Sequence, residues 1–213
     1  MRRVFVVFAL TALAACAHRV PLQTPTGATI EVPQAIASAI EVVAPTDKDY
    51  AAADVAGAIQ PAGKGGVVTG VAVRLTRDLP VYRLWAGPTV LDAQGHTARI
   101  GQWWTFAPPS GTRAGFRRTY EVCVKWDTLQ FVAQCTLRRG AVVVIGPGQS
   151  VSADTCGDPR ESYPANYRDL QTYIHEAWNR MSPPADDLSC PDQSRDYEND
   201  PANIAKPLST TAH

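Results

Sequence analysis

The sequence predicts an α+β fold: one domain over residues 28–182, built on a mostly antiparallel twisted sheet of five or six strands with peripheral helices and two disulfides. Three observations carry this. Residues 126–137 alternate strictly, with Leu129, Phe131, Ala133, Cys135 and Leu137 on one face and Thr128, Gln130, Val132, Gln134 and Thr136 on the other, the pattern of a half-buried strand. Helical spacing is confined to short stretches, such as Ile36, Ile40 and Val43 after Pro33, where proline suits a first helical position. Four cysteines, Cys123, Cys135, Cys156 and Cys190, follow the N-terminal region, an even number suited to an oxidising compartment.

The N-terminal segment determines the expected compartment. Arg2 and Arg3 precede an apolar run over residues 4–13, and Leu13-Ala14-Ala15-Cys16 then sets small residues before a cysteine. This is the layout of a signal peptide over residues 1–15. The run is shorter than the roughly 20 apolar residues a spanning helix needs. The Leu-Ala-Ala-Cys motif resembles the lipobox of bacterial lipoproteins. That resemblance implies lipidation of Cys16 by acyl chains of the palmitate kind, and a membrane partner reached through the lipid. Ala17 in place of aspartate favours the outer membrane over the inner. Residues 16–27 are polar, proline-rich and periodless, and read as a lipid-anchored tether.

Charge and composition exclude little but are useful. The chain carries 20 Lys+Arg and 20 Asp+Glu; loss of Arg2 and Arg3 with the leader leaves 18 against 20, a net charge of about −2. That is too near neutral to imply nucleic acid. The sequence has no CxxC, and its four histidines, His18, His96, His175 and His213, are scattered, so no metal site is expected.

The elements follow in order. Residues 30–43 and the Ala-rich residues 50–59 predict short helices. Pro-Ala-Gly-Lys-Gly-Gly at 61–66 reads as a turn, wrongly spaced for a phosphate-binding loop. Residues 67–75 and 79–85 predict strands. In the second, Val81, Arg83 and Trp85 share one face, and Tyr82 and Leu84 the other. Arg83 therefore stands between apolar neighbours, and a buried guanidinium needs a partner or a ligand. Residues 100–109 hold the densest aromatic cluster, Trp103, Trp104 and Phe106, before Pro108 and Pro109. On a strand the two tryptophans point to opposite faces, so one anchors the core and the other lines a second surface.

Residues 110–122 are ambiguous between helix and strand. A hairpin turning at Asp127-Thr128 would put Cys123 and Cys135 on opposite faces and forbid a bridge between them. Asp-Thr is also poor chemistry for such a turn. Four cysteines allow three pairings, and sequence alone does not choose between them; the pairing taken is a helix ending near Cys123 with a Cys123–Cys135 bridge, and by elimination Cys156–Cys190. Residues 141–145 predict a buried strand, and residues 146–152 a Gly-rich loop. Tyr167, Leu170, Ile174, Ala177, Trp178 and Met181 recur at helical spacing, with Asn166 placed as a cap. Residues 183–213 read as an extended C-terminal arm.

One order of short motifs bears on chemistry. Val81-Tyr82-Arg83-Leu84-Trp85 is followed by Gly101-Gln102-Trp103-Trp104-Thr105, then Arg117-Arg118-Thr119-Tyr120, Trp126-Asp127, residues 143–148, and Gln171-Thr172-Tyr173-Ile174. In that order they resemble the NAD-consuming toxin domains of the tuberculosis necrotizing toxin type, within the ADP-ribosyltransferase-like superfamily. The resemblance covers under half of the chain. It implies NAD as a substrate, with no resident cofactor. Arg83 would hold the phosphates, Trp103 or Trp104 would stack on the nicotinamide, and Gln171 would contact its ribose. A pyrophosphate suits a bidentate cation, a flat ring suits an aromatic face, and a glycosidic bond opening toward an oxocarbenium ion suits a polar group at the sugar. Two functions follow as expectations. One is an envelope lipoprotein with a ligand- or partner-binding cleft, the partner being another envelope protein. The other is NAD glycohydrolase or ADP-ribosyltransferase-like activity in a cleft with Tyr82, Arg83, Trp103, Trp104 and Gln171.

Overall fold

The computed structural model describes residues 18–93, 95–192 and 194–197; the expected leader, the expected lipidation site Cys16 and residues 198–213 lie outside the described residues. Among the described residues no helix is long and apolar enough to cross a membrane. The strands are β1 (Arg19–Gln23), β2 (Thr29–Pro33), β3 (Ile40–Val42), β4 (Val71–Leu75), β5 (Leu79–Trp85), β6 (Trp103–Trp104), β7 (Phe131–Leu137), β8 (Val142–Gly148), β9 (Asn166–Tyr173), β10 (Leu188–Ser189) and β11 (Ser194–Asp196). The helices are α1 (Gln34–Ala37), α2 (Tyr50–Ala53), α3 (Val55–Ala58), α4 (Arg113–Tyr120) and α5 (Ala153–Cys156). The expected α+β class, antiparallel pairing and two disulfides are all present.

Two sheets face each other. The larger has the order β3-β4-β8-β9-β6; in the smaller, β7 pairs with β5 on one edge and with β10 and β11 on the other. The main core lies between them. Val71, Val73 and Leu75 of β4 with Val143 and Ile145 of β8 cluster with Val81 and Trp85 of β5 and with Ala133, Cys135 and Leu137 of β7. Short helices cover the larger sheet's other face, where Ala53 and Ala58 cluster with Ala72 and Val144. On the smaller sheet, Phe116 of α4 clusters with Leu84 and Val132. Strand β8 is therefore buried on both faces along its whole length, which its β-branched run suits.

The segment after Gly101 joins the two sheets. Trp103 and Trp104 pair with Tyr173 and Thr172 of β9, and the next residue, Thr105, exchanges both backbone hydrogen bonds with Tyr82 of β5, at 2.8 and 2.9 Å. The alternation expected of the tryptophans holds. Trp104 is 1% exposed in the main core, while Trp103 stays partly exposed and packs on Tyr173 with ring centroids 4.8 Å apart.

Several expectations are corrected. The disulfides are Cys123–Cys156 and Cys135–Cys190, not Cys123–Cys135 and Cys156–Cys190. Strand β10 lies antiparallel on β7 with Leu188 opposite Leu137 and Ser189 opposite Thr136. That register carries Cys190 to Cys135, with Cα atoms 4.3 Å apart, well inside the roughly 7 Å beyond which no bridge can form. Cys123, past the end of α4, instead meets Cys156 at the end of α5. The helix expected to end near Cys123 is present as α4, no hairpin turns at 127–128, and β7 begins only at Phe131.

Residues 167–181 do not form the expected helix. Their first half is strand β9, hydrogen-bonded to β8 on one side and β6 on the other, and the apolar stripe breaks up, with Tyr167, Trp178 and Met181 exposed. Pairing on two edges overrides the local helical period. The expected Gly-rich loop is also strand, since β8 runs on through Gly146-Pro147-Gly148. Its glycines serve close approach. A Cβ on Gly146 would lie 2.1 Å from the Thr69 carbonyl oxygen, and the proline sits where the register to β9 shifts, a place that tolerates its missing N–H. Residues 30–43 give two strands around the single turn of α1 rather than a helix. The stretch expected to be a periodless tether contains β1, paired along its length with β2. The C-terminal arm adds β10 and β11 to β7.

Candidate ligand-binding cavity at the sheet junction

Where the 103–105 segment crosses between sheets, a cavity of about 450 Å³ opens, lined by residues of β5, β6, β9, the end of α4 and the turn at 61–66. All five residues singled out from sequence, Tyr82, Arg83, Trp103, Trp104 and Gln171, line it. They come from three strands, and the junction brings them together: β5 contributes the first pair, β6 the tryptophans, and β9 the glutamine. Gln171 reaches the cavity because β9 is a strand.

Arg83 is held by protein atoms. Its Nε donates to the Ala98 carbonyl at 3.0 Å and its Nη1 to the Trp103 carbonyl at 3.1 Å. Its Nη2 lies 3.8 Å from Asp127 Oδ2, beyond hydrogen-bonding distance. The guanidinium rests on Gly101, where a Cβ would fall 2.7 Å from Arg83 Cζ. The glycine before the aromatic pair therefore makes room for the arginine. Burial pushes the Arg83 pKa down and Asp127 opposes this. Burial also pushes Asp127 up, against the pull of the Leu129 N–H, Arg83 and Arg117. The side chain is 18% exposed, and Nη2 is the nitrogen left to meet a ligand.

Helix α4 delivers the acidic end. Thr112 caps its start by accepting from the Gly115 N–H, and Glu121 ends it in the left-handed conformation at φ 51°. The buried Arg117 then ties the following chain to the helix end, donating to the Val122 carbonyl at 3.2 Å and the Asp127 carbonyl at 2.7 Å. This fixes Glu121, Trp126 and Asp127 at the cavity. Glu161 supports the same loop by accepting from the Val124 N–H.

Glu121 lines the cavity too, and no motif in the sequence singled it out. It is 1% exposed and lies against Gly148, where a Cβ would come 1.9 Å from its Oε2. Gln171 Nε2 donates to that Oε2 at 2.9 Å and to the Tyr120 carbonyl at 3.0 Å. Both amide N–H groups of Gln171 are thereby engaged, which leaves its carbonyl oxygen to accept. Glu121 Oε1 is buried with no hydrogen-bond partner. Burial drives the Glu121 carboxyl up to about 9; the Gln171 hydrogen bond opposes this, Asp169 adds to it, and the Asn166 backbone opposes it. The residue is therefore un-ionised at neutral pH. The glycine at 148 is the one sequence signal for this contact, and its meaning depends on a partner 27 residues earlier in the chain.

No protein-family model, curated protein or solved structure matches this chain. The cavity lining includes the rings of Trp103, Tyr120, Trp126 and Tyr173 together with the acids Glu121 and Asp127. Lys64, carried on the turn at 61–66, adds a second cation to the lining. Among the described residues no cluster of three or more His, Cys, Asp or Glu side chains has the arrangement to hold a metal ion. A cavity of this size with aromatic walls and a few convergent polar groups suits a ring-bearing small molecule.

Proposed function

We propose that this chain is an extracytoplasmic protein, tethered by lipid at Cys16 in the outer membrane, whose α+β domain binds a small ring-bearing ligand in the cavity at the sheet junction. The observation that carries this reading is the convergence of Tyr82, Arg83, Trp103, Trp104 and Gln171, from separate strands, on one aromatic cavity that also holds two buried acidic side chains. Two disulfides support a location outside the cytoplasm, since such bonds persist in oxidising compartments. For the anchor, processing blocked by globomycin and abolished by Cys16→Ser is the expected result; membrane association unchanged by that substitution would sink it.

A second reading, NAD glycohydrolase or ADP-ribosyltransferase-like activity, is favoured by the position of Gln171 on a strand beside the partly exposed Trp103. In this reading the nicotinamide stacks on Trp103, Arg83 Nη2 and Lys64 meet the phosphates, and the Gln171 carbonyl faces the ribose. The glycosidic C–N bond then breaks, its electron pair leaves with the neutral nicotinamide, and water adds to the oxocarbenium carbon and loses a proton. The test is titration of NAD into the full-length protein in detergent, followed by an assay of nicotinamide release. Binding with turnover makes the protein an enzyme, whereas binding without turnover leaves a binding domain. Absence of binding at millimolar NAD removes the second reading.

A further inference from the structure

We propose that Glu121 recognises the charge of the ligand: the cavity takes a cationic ring, and the Glu121 carboxyl gives up its proton to solvent as that ring binds. This rests on the reading of the cavity as a site for a ring-bearing ligand.

Glu121 is enclosed between Gly148 and Gln171, its Oε2 accepting from Gln171 Nε2, while Oε1 is buried with no partner. An ionised carboxylate with half of its acceptor capacity unused in such a place is costly. The neutral acid is less so, and burial accordingly holds it un-ionised up to about pH 9. The cavity that Glu121 lines is also lined by Trp103, Tyr120, Trp126 and Tyr173, rings whose negative faces attract cations. A positive charge arriving among them reverses the balance, because a nearby opposite charge stabilises the carboxylate. The O–H bond of Glu121 breaks, the proton leaves to solvent, and no bond of the ligand changes. The local charge is the same before and after: a neutral acid is replaced by a carboxylate and a cation. A neutral ring of the same shape gains nothing from Glu121.

The groups that face Glu121 are Tyr120 beside it on α4, and Gln171, Asp169 and the Asn166 N–H on β9; Gly148 of β8 brings no charge. Arg83, Lys64 and Asp127 line the same cavity. Asp127, itself raised by burial, is the other acid able to release a proton there, so it needs its own control.

The experiment uses 1-methylnicotinamide, a small cationic ring, against neutral nicotinamide. Both are titrated into the full-length protein in detergent at pH 6, 7 and 8, with tryptophan fluorescence and calorimetry as readouts. The expected result is an affinity for the cation that rises about tenfold per pH unit, as release of one proton requires. Calorimetry in buffers of different ionisation enthalpy should count close to one proton released per ligand. Nicotinamide should show neither effect. Glu121→Gln should flatten the pH dependence and abolish the release; retention of both in Glu121→Gln with their loss in Asp127→Asn would assign the proton to Asp127 and overturn the proposal. The proposal is overturned if the cation fails to bind at pH 8, if its affinity is flat with pH in the unaltered protein, or if Glu121→Gln retains the slope. The proton count on the unaltered protein decides the matter even where a variant folds poorly. A protein that binds NAD yet shows none of these effects keeps its ligand and loses the role given to Glu121.

Discussion

Glu121→Gln has a consequence for folding that needs no ligand. The Glu121 carboxyl sits at about 9 in the folded protein against an ordinary value of 4.5. Below the ordinary value both states are protonated and the group contributes no pH dependence. Between about pH 4.5 and pH 9 the unfolded chain loses this proton while the folded protein keeps it. The unfolded state then binds fewer protons, so stability falls as pH rises, by about 1.4 kcal/mol per pH unit. From pH 5 to pH 8 that amounts to roughly 4 kcal/mol as an upper figure, because relaxation and water entry around the carboxyl reduce it. Glutamine does not titrate, so the variant lacks this slope. Its own amide leaves an N–H near the unpartnered position, which costs about 1–3 kcal/mol at every pH. The two stability curves should therefore approach or cross as pH rises. The assay is urea unfolding of both proteins, disulfides intact, at fixed pH values from 5 to 8. Parallel curves across that range would refute the reasoning, since they would mean that Glu121 is already ionised in the fold.

The two tryptophans should separate stability from binding. Trp104→Ala removes a side chain that is 1% exposed and should cost about 3–5 kcal/mol in urea unfolding, while Trp103→Ala should destabilise far less and weaken a ring ligand by about tenfold through lost stacking. Replacing Cys135 and Cys190 together by alanine opens a bridge across 55 residues and should cost about 4 kcal/mol; if the pairing were wrong, only loss of both bridges would show on a mass map of the oxidised protein. Gly148→Ala places a Cβ 1.9 Å from Glu121 Oε2. It should displace that carboxyl, cost about 1–3 kcal/mol and abolish the steep pH dependence, whereas unchanged pH behaviour would show that Glu121 does not rest on Gly148.

Much of the cavity was legible in the sequence, for reasons that remain local. A strand forces neighbours to opposite faces, so Trp103 and Trp104 had to serve different surfaces, and Arg83 had to point where Val81 and Trp85 point. What the sequence hid was long-range. Glu121 carries no motif, and its role comes from a left-handed residue at the end of α4 meeting a glycine on β8. Residues 167–181 showed a helical period because their apolar residues happen to recur at that spacing. The ladders to β8 and β6 outweigh it, with Gln171 and Thr172 buried despite their polarity.

By itself, the sequence determined the class of fold, the faces of its clearest strands and the even set of four cysteines. These follow from periodicity and side-chain chemistry, which act over a few residues. Only the tertiary structure decided which cysteines pair, that Gly146 and Gly148 serve close approach within a strand, and that Glu121 is buried beside Gln171. The register of β10 on β7, the passage of chain past Gly146 and the burial of a carboxyl at a helix end all depend on contacts between segments distant in the chain. No local pattern records them.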